Sequence, residues 1–174
     1  DEIETLKAND ESIERLSDEL SSYARHYQEK ARELSDLRHH ASSSLASAVE
    51  QEIQRLGMPG GRFTIELRPN TSDELLPNGL EQVELLVSAN PGQPLKALAK
   101  VASGGELSRI SLAIQVITAQ TSRVPTLVFD EVDVGIGGPT AEIVGQLLRR
   151  LGERGQVLTV THLPQVAAQG HQHL

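Results

Sequence analysis

A chain of 174 residues and 18.9 kDa has length for one ordinary core, but with 2% aromatic residues and a polar N-terminal third it reads as one compact domain plus an appendage. With 16 Lys and Arg against 24 Asp and Glu the net charge is −8, which argues against a broad basic groove for a phosphate backbone on this chain. The absence of cysteine excludes a disulfide framework and a thiolate metal site; with no basic-then-apolar leader and no bilayer-spanning apolar run, a cytoplasmic protein without membrane contact is expected.

From Asp1 to Leu56 there is no Gly and no Pro, and strong helix formers dominate. One helix, or two nearly continuous ones, is predicted, with a reach of about 80 Å. Ile13, Leu16, Leu20, Tyr23, Tyr27, Leu34 and Leu37 step by threes and fours on a seven-residue frame, with Lys30 as the polar exception. That is a coiled-coil seam, and its facing helix must come from another chain or from sequence outside these residues. Ala41, Leu45, Val49, Ile53 and Leu56 move nearer the natural helical period, so the helix is expected to leave the supercoil there and pack on a globular body.

Gly57-Met58-Pro59-Gly60-Gly61 ends the helix. Arg62 to Arg68 then alternates, with Phe63, Ile65 and Leu67 on one side and Thr64, Glu66 and Arg68 on the other, as a half-buried strand does. A second strand is predicted over Gln82 to Ser88, joined to the first as an antiparallel pair by the turn-rich stretch Pro69 to Gly79 and closed by Asn90-Pro91-Gly92. From Ser103 the pattern becomes helix Glu106 to Gln120, strand Thr126 to Asp130, helix Pro139 to Leu151 and strand Gln156 to Thr161. Two strands joined by a helical crossover are expected to be parallel and right-handed.

The run Thr126-Leu127-Val128-Phe129 is apolar enough to predict burial on both faces, which brings Asp130 and Glu131 out at the C-terminal edge of the sheet, where open parallel sheets bind ligands. Side chains alternate along a strand, so one acid suits a metal's water shell while the other orients an attacking water. A bound Mg²⁺ would relieve their repulsion. Two solvated acids at a strand end are the plain alternative. The second parallel strand runs into His162; if the strands are neighbours, Glu131 and His162 share one edge about 5 Å apart between strand axes, a distance suited to sensing a phosphate or a positioned water. A structural histidine is the alternative there.

Ser103-Gly104-Gly105 precedes a helix, where unpaired N–H groups and the helix dipole favour an anion, and two glycines permit close approach. A helix cap followed by an ordinary turn is the competing reading. Glu106 beside it implies that a phosphate is met end-on from another body. His171 and His173, His39 and His40, and the loop glycines Gly135, Gly137 and Gly138 are read as structural or solvated.

Taken in order, Ser103-Gly104-Gly105-Glu106 resembles the ABC-type ATPase signature, Thr126 to Glu131 resembles Walker B with its catalytic glutamate, Asp133 falls at the D-loop aspartate, and His162 matches the switch histidine. A coiled coil running into this lobe resembles the SMC and Rad50 branch. The strings Val101 to Arg109, Phe129 to Gly138 and Val160 to Ala167 look specifically like the RecN family of bacterial DNA-repair proteins.

The resemblance implies a partial ABC/SMC-type ATPase head of α/β class: a C-terminal lobe over 57–174 with parallel strands and an antiparallel β element, and over 1–56 the returning helix of a coiled-coil arm. It further implies an ATPase acting in recombinational repair of DNA double-strand breaks, with ATP and Mg²⁺ as cofactors, in a cytoplasmic, nucleoid-associated setting. Its implied partners are an N-terminal lobe of the same protein, a second head in a homodimer, and DNA through the complete protein.

By the same resemblance Asp130 holds Mg²⁺ through water, Glu131 orients the attacking water and His162 contacts the γ-phosphate region. Ser103 and Gly105, within the nucleotide-binding signature that includes Gly104 and Glu106, clamp the γ-phosphate held by the opposing head, and Asp133 couples the two sites. Three departures stand out: no Gly-x-x-x-x-Gly-Lys-Ser/Thr phosphate loop, no glutamine loop and no first half of the coiled coil occur in these residues, so the chain is not expected to hydrolyse ATP alone. The sequence ends at His171-Gln172-His173-Leu174 before a further strand could complete the sheet, which exposes an edge. Rival readings are another ABC, SMC or Rad50-type ATPase, including an exporter's subunit, and a coiled-coil interaction module without activity.

Overall fold

The computed structural model describes residues 2–71, 74–101, 103–119 and 124–174, with side chains from residue 12 onward. Asp1 of the predicted helix, Ser72 and Asp73 of the turn stretch, Ala102 of the signature string and Gln120 at the predicted end of the second helix lie outside the described residues.

Helix α1 runs unbroken from Glu2 to Arg55 over 54 residues, as the lack of Gly and Pro requires. It stops where Gly57 adopts a left-handed φ of 84° and the Met58 N–H turns back to the Ile53 carbonyl at 3.3 Å. Strands β1 (Arg62–Pro69), β2 (Glu81–Ser88) and β3 (Lys96–Ala97) form a sheet in the order β1-β2-β3. β2 and β3 pair antiparallel, Leu86 opposite Ala97 and Val87 opposite Lys96. A two-residue strand carries no period, which is why β3 leaves no trace in the sequence pattern.

After a 3₁₀ turn at Leu98–Lys100 come α2 (Gly104–Thr118), β4 (Thr126–Phe129), α3 (Gly138–Gly152), β5 (Gln156–Thr159) and the short α4 (Pro164–Ala167). β4 and β5 pair in parallel, from Thr126 opposite Gln156 to Phe129 opposite Thr159, as a helical crossover predicts. Among the described residues no helix is long and apolar enough to cross a membrane.

The chain divides into two compact units. One comprises the chain through Ala41 together with Leu67–Val83. Here the tip between β1 and β2 grips one stripe of α1: the Tyr27 hydroxyl donates to the Leu76 carbonyl at 2.8 Å, Arg38 Nη1 donates to the Asn78 carbonyl at 2.8 Å, and Ser35 donates to the Glu81 carboxylate. Ala31 is buried between them, and Gly79, at φ 84°, lets the tip approach Leu34. Tyr27, Ala31, Ser35 and Arg38 step by fours and threes, so they share a face. The predicted seam at Ile13, Leu16, Leu20, Tyr23 and Leu37 stays exposed.

The other unit, Ser42–Glu66 with Glu84–Leu174, holds the larger core. Val49, Ile53 and Leu56 of α1 enter it beside Phe63, Ile110, Leu112, Val132, Val144 and Leu148. α3 lays Ala141, Val144, Leu148 and Leu151 inward at helical spacing, and its Gly145 is the seat of α4, where a Cβ would come within 3.2 Å of the Val166 Cα.

Burial of β4 on both faces is not what the structure has. Phe129 is buried, but Val128 is 68% exposed, as are Leu158 and Val160 on β5 and beyond it at 42% and 65%. The core lies against one face of the two-stranded sheet, and the apolar side chains of the other face meet solvent. An apolar run records that a strand is coverable on both sides and not that both covers are present.

Truncating Ile53→Ala removes a fully buried side chain at the junction of α1 with this core, and is expected to cost about 2–5 kcal/mol, with urea unfolding of the chain as the measurement.

Candidate functional site

The backbone after β4 turns sharply. Glu131 has φ 58° and is the one non-glycine residue with positive φ among the described residues. The Asp130 carboxylate steadies the turn by accepting the Glu131 N–H at 2.9 Å; Val134 N–H then bonds the Glu131 carbonyl at 3.2 Å and Ile136 N–H the Asp133 carbonyl at 3.4 Å. A left-handed residue with a Cβ costs about 1–3 kcal/mol, so the surrounding bonds must hold it there.

Those bonds come from the start of α2. Ser103 is its N-cap, accepting the Glu106 N–H at 3.3 Å, which leaves the Ser103 hydroxyl proton to donate elsewhere. The Ser108 hydroxyl donates to the Asp130 carbonyl at 2.6 Å, and buried Arg109 donates through Nη1 to the Val134 carbonyl at 2.7 Å. Burial lowers the Arg109 pKa, partly offset by nearby Glu106. The loop lies directly on Gly105, and the Glu131 side chain on Gly104. A Cβ at Gly104 would strike the Glu131 carboxylate, and one at Gly105 would stand 3.0 Å from the Val134 carbonyl oxygen.

The sequence expectation paired Glu131 with His162. The strands are neighbours as expected, yet the acid that touches His162 is Asp133, with Oδ2 3.4 Å from Nδ1, while the Glu131 carboxylate rests on Gly104. The left-handed turn is the reason: it swings Glu131 toward α2 and sends Asp133 inward. Asp133 is 2% exposed and its Oδ2 accepts the Thr161 hydroxyl at 2.5 Å and the His162 N–H at 3.1 Å. Burial pushes this carboxyl up, but the Thr161 hydroxyl, the His162 N–H and the imidazole charge together outweigh it and hold the group below its ordinary value.

The candidate residues thus fall on one connected stretch: Ser103, Gly104, Gly105 and Glu106 at the head of α2, Asp130 and Glu131 exposed on the turn, Asp133 beneath it, and His162 exposed after β5. Among the described residues no group of three or more His, Cys, Asp or Glu is placed to hold a metal ion. Asp130, exposed just past β4, offers a hard oxygen donor of the kind that suits Mg²⁺, an ion that keeps several waters and takes one or two carboxylates beside substrate phosphates. Ser108, Arg109 and Thr161 were not singled out from sequence; each acts through a partner more than 20 positions away, and no local spacing signals that.

No family model matches the chain. It is 49% identical over 172 residues to DNA repair protein RecN of Xylella fastidiosa strain Temecula1, covering 99% of this chain and 31% of that protein. It is 49% identical over 173 residues to DNA repair protein RecN of Vibrio cholerae, with the same coverage, and 35% identical over 187 residues to that of Bacillus subtilis, covering 100% of this chain and 32% of the relative. The chain therefore spans about a third of the length of the curated relatives it matches.

Among solved structures it is similar to the Smc head domain with a coiled coil and joint from Pyrococcus yayanosii, with TM-score 0.58 and 22% identity over 82% of this chain and 26% of that one. It is also similar to an Smc head bound to the C-winged helix domain of ScpA, with TM-score 0.54 and 18% identity over 83% of this chain and 42% of that one. The fold is that of part of an SMC head domain, mixed in helix and strand as the sequence predicted.

Because the fold depresses the Asp133 pKa, its contribution to stability is complete above the unfolded value of about 3.8 and is lost as pH falls through the folded value. Urea midpoints measured from neutral pH downward are expected to fall more steeply below about pH 4 in the wild type than in Asp133→Asn, which cannot titrate there.

Proposed function

The chain resembles about a third of DNA repair protein RecN along nearly its whole length, and from that premise we propose that it forms the C-terminal part of an SMC-like ATPase acting in recombinational repair of DNA double-strand breaks. Residues 1–56 are the returning helix of a coiled-coil arm, and 57–174 the C-terminal lobe of the ATPase head. The observation that carries this reading is the contact between the signature glycine Gly104 and the Walker B glutamate Glu131 on one exposed loop–helix surface.

Phosphoryl transfer asks for position and charge stabilisation more than for covalent chemistry, so its parts are separable between lobes. In the proposed head a phosphate loop in an N-terminal lobe of the same protein cradles the triphosphate. Glu131 accepts a hydrogen bond from the attacking water and draws its proton; His162 meets the γ-phosphate region. The Ser103 hydroxyl and the N–H groups opening α2 face the γ-phosphate held by the other head of a homodimer, where the helix N-terminus favours negative charge. Mg²⁺, when bound, supplies the positive charge that offsets both the phosphates and the adjacent carboxylates. Asp130 is the residue that would hold it, through water. The burial of Asp133 turns its part in coupling the two sites inward, onto His162.

The exposed apolar face at Val128, Leu158 and Val160 supports the missing-lobe reading, since a parallel sheet is ordinarily covered on both sides. The net charge of −8 supports DNA being reached through the complete protein in preference to this lobe.

The test is to combine this chain with a lobe carrying the phosphate loop and to measure ATP turnover. Mg²⁺-dependent hydrolysis is expected, with Glu131→Gln lowering kcat by about 10²–10⁴-fold, the range for loss of a positioned base. Turnover unchanged by that substitution would overturn the role given to Glu131.

A further inference from the structure

We infer that Asp133 and Thr161 are a positioning pair for His162, a latch that fixes the main chain of the switch histidine and turns the Nδ1 edge of its ring inward, so that the Nε2 edge faces out. The catalytic consequence rests on the ATPase reading above; the latch itself stands on geometry alone.

The last ladder bond between the parallel strands is Val160 N–H to the Phe129 carbonyl, at 3.0 Å. Beyond it the chain leaves β4, and the residues that follow need another anchor. They find it in one atom. Asp133 Oδ2 accepts the Thr161 hydroxyl at 2.5 Å and the His162 N–H at 3.1 Å, and lies 3.4 Å from His162 Nδ1.

Thr161 is itself oriented. Its Oγ1 accepts the Leu163 N–H at 3.1 Å, so its single proton is directed away from that side; of the two acceptors in reach, Asp133 Oδ2 at 2.5 Å is far nearer than the Leu163 carbonyl at 3.5 Å. The anchor does not drift either. Val132 beside it is fully buried, the Asp133 carbonyl is bonded to Ile136 N–H, and Arg109 holds the Val134 carbonyl. A carboxylate that is 2% exposed has little access to water and leans on these donors, which makes the attachment mutual.

The outcome is an unusual division within one residue. The His162 main chain is tied into the core, while its side chain is 67% exposed. An exposed ring on an untied loop would sample several rotamers and lose orientation. Nδ1 is the ring nitrogen that lies 3.4 Å from the carboxylate, so a neutral ring that donates to Asp133 is the Nδ1–H tautomer, with Nε2 as the other edge.

The test reads the ring directly. In the ¹⁵N-labelled 174-residue chain at about pH 8, above the ordinary imidazole range, long-range ¹H–¹⁵N correlation is expected to show His162 chiefly as Nδ1–H, with its amide protected from exchange. Asp133→Asn, which keeps the shape of the carboxylate, and Thr161→Val should move the ring toward the Nε2–H form and lower the amide protection. Thr161→Ser should restore both. In the protein combined with a phosphate-loop lobe, Asp133→Asn and Thr161→Val should lower kcat by about 10–10²-fold with little change in KM for ATP, and Thr161→Ser should not.

Ring and amide signals identical in wild type, Asp133→Asn and Thr161→Val would overturn the latch, as would altered signals with kcat unmoved overturn its catalytic part. A combined protein with no ATP turnover at all would count against the proposed function, and the NMR comparison would then decide the latch alone.

Discussion

One backbone angle governs the site. At Glu131 the chain takes a left-handed turn that a residue with a side chain adopts only under constraint, and three consequences follow within four residues. Glu131 is thrown onto Gly104, Asp133 is sent down to Thr161 and His162, and the Val134 carbonyl is presented to Arg109. The hydrogen bonds made by Asp133 and by Arg109 are each on the order of 1–3 kcal/mol where a charged group is involved, comparable with the strain of the turn. Unbending Glu131 into an ordinary strand conformation would reverse which side each neighbour faces, and the acids would no longer meet these partners.

Much of the frame was legible in the sequence because it is written in periods and breakers. The absence of Gly and Pro from 1 to 56 gave one helix, the alternation at Phe63, Ile65 and Leu67 gave a strand, and the order of helix and strand after Ser103 gave a parallel pair. The signature at Ser103 to Glu106, the acids at Asp130 and Glu131, and His162 were legible as motifs, and the structure brings their elements together.

What the sequence withheld is the identity of partners. Period says that a face is apolar but not what covers it, so Val128 was expected to be buried and is exposed. The seven-residue frame in α1 ran through Ile13, Leu16, Leu20 and Tyr27, while the stripe that makes tertiary contact in that unit shares Tyr27 with it and adds Ala31, Ser35 and Arg38, whose mixed polarity is silent in a hydrophobic count. Asp133 and Thr161 are 28 positions apart, and hydrogen bonds over such a span leave no mark on local spacing. Glu131 facing Gly104 instead of His162 required knowledge of a single dihedral angle, which no residue pattern announces for glutamate.

The contact at Gly104 also bears on how genetic damage in this loop is interpreted. Alanine there is the customary probe of a signature glycine, and a loss of activity is customarily ascribed to a spoiled anion contact. In this protein the added methyl would collide with the Glu131 carboxylate as well. On the proposed reading the change touches two parts at once, the head of α2 and, by displacing a flexible side-chain end, the position of the Glu131 carboxylate, so a phenotype at Gly104 reports on both without separating them.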